Sequence, residues 1–401
     1  METLKAPKYR WVILSVYMFI GALTQLYWLN FAAIDTYVEQ YLQISAMKVG
    51  ALALVFPLTF LLLSIPAGII VDKKGFKFGV GIGVIFTGVF SALRMFDTNS
   101  YTLLLISQLG ISIGQPFVLN AVTKLALTWF PKNEEATAVG LGSLSLFLGM
   151  VMGLGLTPTL TEALGFKTML LIYAILGIAS IPVFFLLVKS KPKLPLRETT
   201  EEETSYWNGI KKISKIKDFI ILGFIALIGI GVFNGLLTWL EKILNEMHNI
   251  NMVSAGNISS MLVFSGMIGC IVIPMVSDKI MKRKPFLAIA SLVGLFTSII
   301  LIFAKNFLFN SINAIIMGFF VVATLPIMLT ISSEITGVRF AGISTAYLQL
   351  LGNGAAVVIV PIIEILHKST GKYTLPLLFI STLFGVVFIL TLFINESFRK
   401  N

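Results

Sequence analysis

Gly68-Ile69-Ile70-Val71-Asp72-Lys73-Lys74-Gly75-Phe76-Lys77 is a short charged turn between two long apolar runs, Val49 to Val71 and Phe78 to Phe96. A run of roughly 20 apolar residues, rising about 1.5 Å per residue as a helix, crosses the ~30 Å hydrocarbon core of a bilayer with its backbone hydrogen bonds satisfied internally. Ten further runs of that length fill most of the chain: Trp11 to Ile34, Tyr101 to Trp129, Thr137 to Ala163, Thr168 to Val188, Phe219 to Leu244, Val253 to Val276, Pro285 to Phe303, Asn306 to Ile331, Gly342 to Leu366 and Tyr373 to Ile394. The expected fold is an all-α membrane protein of twelve transmembrane helices.

Composition points the same way. With 57% hydrophobic against 12% charged residues, the 401-residue chain has too little polar surface for a water-soluble globule. The lone cysteine, Cys270, lies in the eighth span and leaves no partner for an intramolecular disulfide. Lys5, Lys8 and Arg10 lead into a full-length first span without a small-residue cleavage site, which reads as a retained helix.

The basic residues set the expected orientation. With both termini cytoplasmic, 22 of the 30 Lys and Arg fall in cytoplasmic segments and six, namely Lys48, Lys167, Lys242, Lys305, Lys368 and Lys372, on the other side. The positive-inside rule favours that topology, and the net charge of +11 is then a topology signal and an attraction to anionic lipid, with no nucleic acid as partner. A cell (plasma) membrane is the expected location.

One long hydrophilic segment, 189–217, separates an N-terminal six-helix half (1–188) from a C-terminal one (218–401), and helix is expected within it near Ile210 to Ile216. The loop after span 8, with Ser277-Asp278-Lys279 followed by Lys282, Arg283 and Lys284, echoes the loop after span 2, so the two halves read as a repeat. In the first loop Gly68 would let helices approach closely, Asp72 would accept from N–H groups at a neighbouring helix terminus, and Gly75 would permit a turn. Lys73 and Lys77, with Asp278 in the second loop, complete a set of candidate gating residues; an ordinary positive-inside loop accounts for the lysines but not for the glycines and Asp72.

Span by span, the sparse polar residues define a candidate site. On a continuous helix Gln25, Trp28, Asp35 and Glu39 share one stripe of span 1, and Trp28 is either a cavity residue or a belt tryptophan at the membrane interface. Gln115 lies near the middle of span 4, where an unpaired amide facing lipid costs several kcal/mol, so it faces solute, water or another helix. Asn234 and Thr238 pair on span 7, and Thr345, Gln349 and Asn353 recur at i, i+4 and i+8 on span 11. Asp35, Arg94, Lys124 and Glu334 are the charges assigned to spans; Asp35 and Glu334 are read either as proton-coupling carboxyls or as gate salt bridges, and Lys124 as part of an inner gate. Gly149, Gly153 and Gly155, before Pro158, are spaced for close packing of span 5. His248 and His367 fall in outer loops, no metal-ligand pair, nucleophile constellation or phosphate-binding loop is found, and neither an enzyme nor a cofactor is expected.

The loop at Gly68 to Lys77 resembles the signature loop of the major facilitator superfamily, whose members are two six-helix halves. Three stretches narrow the resemblance to the feline leukaemia virus subgroup C receptor family of haem and choline transporters: Gln25 to Phe31, Gly114 to Asn120 leading to Thr128 to Glu134, and Leu325-Pro326 through Thr336. The resemblance implies solute contact by an aromatic in span 1 and a glutamine in span 4, matched by Trp28 and Gln115. It also implies an aromatic in span 7, where this chain has Asn234, and an amide in span 11, where it has Asn353 with Gln349 one turn earlier. The expected function is a secondary transporter whose halves rock about a midplane site, moving a small organic amine or related metabolite as a uniporter or potential-driven carrier. A proton-coupled carrier of a small organic anion or neutral solute is the alternative, and a non-transporting receptor is the alternative of another class. Partners are the small-molecule substrate, the lipid bilayer and, in the alternative, protons; a monomer is expected.

Overall fold

The computed structural model describes residues 8–192, 206–337 and 340–395. Among these the chain forms helices α1 (Arg10–Leu29), α2 (Asp35–Leu42), α3 (Ala46–Lys74), α4 (Phe76–Leu93), α5 (Tyr101–Leu119), α6 (Val122–Trp129), α7 (Glu135–Leu164) and α8 (Phe166–Leu187) in its first part. The second part holds α9 (Tyr206–Ile213), α10 (Lys217–His248), α11 (Met252–Ile280), α12 (Lys284–Phe303), α13 (Phe307–Val321), α14 (Thr324–Thr336), α15 (Ala341–Thr370) and α16 (Thr374–Phe393). Twelve of the resulting spans are long and apolar enough to cross a membrane, counting α5 with α6 and α13 with α14 as one span each. The chain divides into two compact units, Met1–Glu201 and Glu202–Asn401.

Three spans differ from the uninterrupted helices expected. The first ends at Leu29, passes through a 3-10 turn at Ala32–Ile34, and resumes as α2. The fourth is cut at Asn120-Ala121, four residues beyond Pro116, and the tenth at Val322-Ala323, just before Pro326. Proline supplies no N–H and crowds the preceding turn, which favours a break nearby. The tenth span also runs on to Thr336, past the expected end at Ile331. In the linker region the observed helix is α9, a few residues earlier than Ile210 to Ile216.

In the first unit α1 packs on α7, α3 on α5, and α4 on both α5 and α8. Close approach is enforced by glycine. A Cβ on Gly149 of α7 would run into the Ala22 backbone of α1, and one on Gly153 would stand 3.0 Å from the Leu26 carbonyl oxygen. Where lipid is as apolar as the side chains, helices associate by van der Waals fit, so backbones that touch through glycine gain contact unavailable to bulkier residues. The second unit repeats the scheme: α10 packs on α15, α11 on α13 and α12 on α16, and α10 meets α15 through Gly231 and Gly235.

The turns carry the repeat as well. Backbones with positive φ occur at Gly75 (86°) and Met281 (54°), and at Gly165 (82°) and Gly371 (66°); 206 residues separate the members of each pair, the same interval as between Asp72 and Asp278. Gly75 thus makes the turn expected of it, using a region that side chains with a Cβ rarely enter. Gly68 does not enforce a close approach: a Cβ there would meet only the Asn120 amide, at an ordinary 3.8 Å.

Candidate substrate site and gates

In the first unit the two candidate contact residues lie on α1 and α5, which pack together and are tied where Gln108 Nε2 donates to the Tyr27 carbonyl (3.0 Å). Trp28 is only 6% exposed, which removes the belt-tryptophan alternative. Gln115 is 5% exposed and its amide makes no hydrogen bond among the described residues, so no helix-to-helix bond occupies it. The stripe expected to carry Trp28 on to Asp35 and Glu39 does not exist, because the helix that would bear it ends at Leu29. Asp35 instead begins α2, fully buried.

Arg94, placed by sequence near the outer end of span 3, is wholly buried at the C-cap of α4, its guanidinium 5.0 Å from the Tyr27 ring centre. Such a cation–π contact lowers the cost of an interior charge. Lys124 lies on α6, beyond the break in span 4, and so no longer shares one straight helix with Gln115.

In the second unit Asn234 is buried and its Nδ2 has no hydrogen-bond partner, an orphan donor of the kind that solute or water satisfies. Thr238, one turn on, bonds back to the Asn234 carbonyl (2.8 Å). Glu241 completes an i, i+4, i+7 face with them and is 1% exposed. From sequence, span 7 runs to Leu244 with Asn234 and Thr238 paired on it, and Glu241 is not among the candidates although its spacing from Asn234 is readable. Lys242, assigned to an outer segment, is likewise buried within α10, which continues to His248. On α15, Gln349 and Asn353 are half-buried on one face, with Asn353 Nδ2 turned back on the Gln349 carbonyl (2.9 Å).

The loop between α11 and α12 holds a charge relay. Arg283, 7% exposed, donates from Nη2 to Glu334 Oε1 (3.1 Å), from Nη1 to Ser277 Oγ (3.1 Å), and also pairs with Asp278. Glu334 is therefore salt-bridged. Arg283, read from sequence as a basic residue of the loop that echoes the one after span 2, is the centre of this group. In the first unit Arg10 pairs with Glu134 (2.9 Å), while Asp72, Lys73 and Lys74 are exposed and Lys77 half-buried.

The histidines are not in loops. His248 is the last residue of α10 and bonds the Leu301 carbonyl through Nε2 (2.7 Å). His367 lies in the last turns of α15, between Glu246 and Glu364.

Comparison with known proteins accords with the resemblance drawn from Trp28 and Gln115. The chain is 25% identical to an uncharacterized MFS-type transporter of Caenorhabditis elegans, over 99% of this chain and 71% of that protein. It is 23% identical to the choline/ethanolamine transporter FLVCR2 of Homo sapiens (87% of this chain, 70% of that one) and 26% identical to FLVCR1 of Mus musculus (88% and 69%). Among solved structures, a bacterial homolog of the human lysosomal transporter Spinster, inward-facing and unoccupied, superposes with a TM-score of 0.72 at 16% identity, covering 97% of this chain and 95% of that one. The transporter FucP in its outward conformation gives 0.65 at 15%, covering 94% and 98%. The sequence pattern of the Major Facilitator Superfamily matches residues 13–361, and the chain, an integral polytopic membrane protein, belongs to that superfamily of transporters.

Proposed function

We propose that the protein is a secondary carrier of a small organic amine of the choline or ethanolamine class, working by alternating access as a uniporter driven by the solute gradient and, for a cation, by membrane potential. Solute contacts in the N-terminal half are assigned to Trp28 and Gln115, and those in the C-terminal half to Asn234, Gln349, Asn353 and Glu241. The observation that carries the amine reading is Glu241, a carboxylate 1% exposed on the same face of α10 as the orphan Asn234 amide. One indole offers a quaternary ammonium about 0.5–2 kcal/mol. Where the related family has a second aromatic this chain has Asn234, so a negative charge and amides take over part of the recognition. That two of the relatives named above are choline/ethanolamine transporters supports the same class.

Gly75, Asp72, Lys73 and Lys77 in the first half, with Asp278, Arg283 and Glu334 in the second, are assigned to gates on the side of the termini, which we place in the cytoplasm. The carrier acts as a monomer in the plasma membrane.

The test is choline uptake into proteoliposomes holding the purified chain. Uptake that rises with an inside-negative potential and does not need a pH gradient supports the proposal. Uptake of an organic anion driven by an imposed pH gradient, and lost in Asp35→Asn, would replace it with the proton-coupled alternative. Binding without counterflow would assign the chain to the receptors.

A further inference from the structure

His367 sits where α10 and α15 finish, at the end of the C-terminal half opposite the Asp278–Arg283 loop. Its Nε2 is 2.9 Å from Glu246 Oε2 and its Nδ1 3.3 Å from Glu364 Oε2. A neutral imidazole carries one N–H and one lone pair, so it satisfies only one of two facing carboxylates and presents a lone pair to the other. Both contacts become attractive once the ring holds a second proton, the one at Nδ1 as an ion pair, since its geometry is not that of a hydrogen bond. Tyr373 lies flat on the imidazole, ring centres 4.0 Å apart and planes 7° from parallel, a stacking that suits an imidazolium, and its hydroxyl donates to Glu364 Oε2 (3.4 Å).

The surroundings sharpen the requirement. Glu364 is 1% exposed, and water is a poor substitute for a counter-charge there. Lys242 approaches Glu246 at 3.7 Å and Lys368 approaches Glu364 at 3.9 Å, both farther off than the imidazole. Lys372, next to Tyr373 in the chain, is exposed. Among the described residues, these are the charged and titratable groups that α10, α15 and the start of α16 bring to His367.

We propose that Glu246, His367 and Glu364 form a proton-binding site, with the proton carried on His367, and that its occupancy sets the turnover of the carrier. With the proton bound, imidazolium ties the last turns of α10 to those of α15. Without it, two carboxylates face a neutral ring and the tie loosens. Histidine is the side chain whose charge ordinarily changes between about pH 5 and 8, which makes that interval the one to test.

Two experiments on the full chain test this, one of them independent of the transport reading. The chain contains only two histidines, so a His248→Gln protein with labelled imidazole nitrogens, in lipid nanodiscs, reports His367 alone by NMR. The expected result is a ring protonated on both nitrogens at the acid end and a single titration step that shifts in Glu246→Gln and Glu364→Gln. A ring that stays in one neutral tautomer from about pH 5 to 8 overturns the proposal. Choline counterflow at equal inside and outside pH is the second experiment, and the rate should change by about threefold or more across that range and lose the dependence in His367→Gln and Glu246→Gln. A flat wild-type profile, or an unchanged one in both variants, overturns it as well. Absence of choline counterflow at every pH strikes the substrate reading instead, and the NMR titration then decides the proton site by itself.

Discussion

Replacing Gly149 by alanine should drive α1 and α7 apart, and the size of the effect follows from what the new methyl meets. Its three nearest atoms are the carbonyl oxygen, carbonyl carbon and Cα of Ala22, all backbone, so no rotamer change relieves the overlap. At Gly153 the nearest atom, the Leu26 oxygen, is 3.0 Å away, about 0.4 Å inside ordinary contact; at Gly149 the intrusion is deeper. Overpacking of this kind costs about 1–3 kcal/mol. Alanine also gains about 1 kcal/mol over glycine inside a helix, which would partly hide the clash. Gly140→Ala, on the same helix with open space around it, isolates that gain. The difference between the two variants is then the clash alone, which at about 2–4 °C per kcal/mol for a unit of this size amounts to roughly 2–12 °C in Tm. Thermal unfolding of the purified protein in detergent measures it, with Gly140→Ala at or above the wild type, Gly153→Ala below it and Gly149→Ala lowest. Equal melting of Gly149→Ala and Gly140→Ala, within a degree or so, refutes the close-contact argument.

Removing Arg283 leaves Glu334 and Asp278 without their shared cation. Arg283→Ala should cost about 3 kcal/mol in thermal or denaturant unfolding, with partial recovery in the Arg283→Ala, Glu334→Ala double variant. Trp28→Ala should weaken the apparent affinity for choline in an uptake assay by about twofold to thirtyfold, the loss expected of one cation–π contact, and, because the indole is buried, should also lower Tm by roughly 6–20 °C. Trp239→Phe removes the indole bond to the Val360 carbonyl (2.9 Å) between α10 and α15 and should lower stability by about 1 kcal/mol, seen as a small drop in Tm with transport retained.

Span number and the two-half arrangement were readable because the length needed to cross lipid is a property of consecutive residues. That Trp28 and Gln115 turn away from lipid was readable for a related reason, since a polar or amphipathic side chain deep in an apolar run needs a special environment. What failed depends on geometry that no run of residues contains. The span 1 stripe assumed 100° per residue through Asn30 and Phe31, where the helix ends. Gly68 looked like a packing residue, yet its surroundings would accept a Cβ. Arg283 and His367 acquire their meaning from Glu334, 51 residues later, and from Glu246, brought alongside by a different helix. Glu241 is the one omission that periodicity alone could have prevented.

The cuts in spans 4 and 10 are each two residues wide and each lie in the fourth span of its half, about one helical turn out of step with the interval that relates the turns. A two-residue gap in the hydrogen-bonded ladder is a point at which a span can change direction without disturbing the helices on either side. In span 4 the gap falls between Gln115 and Lys124, so the direction of the one does not fix the direction of the other.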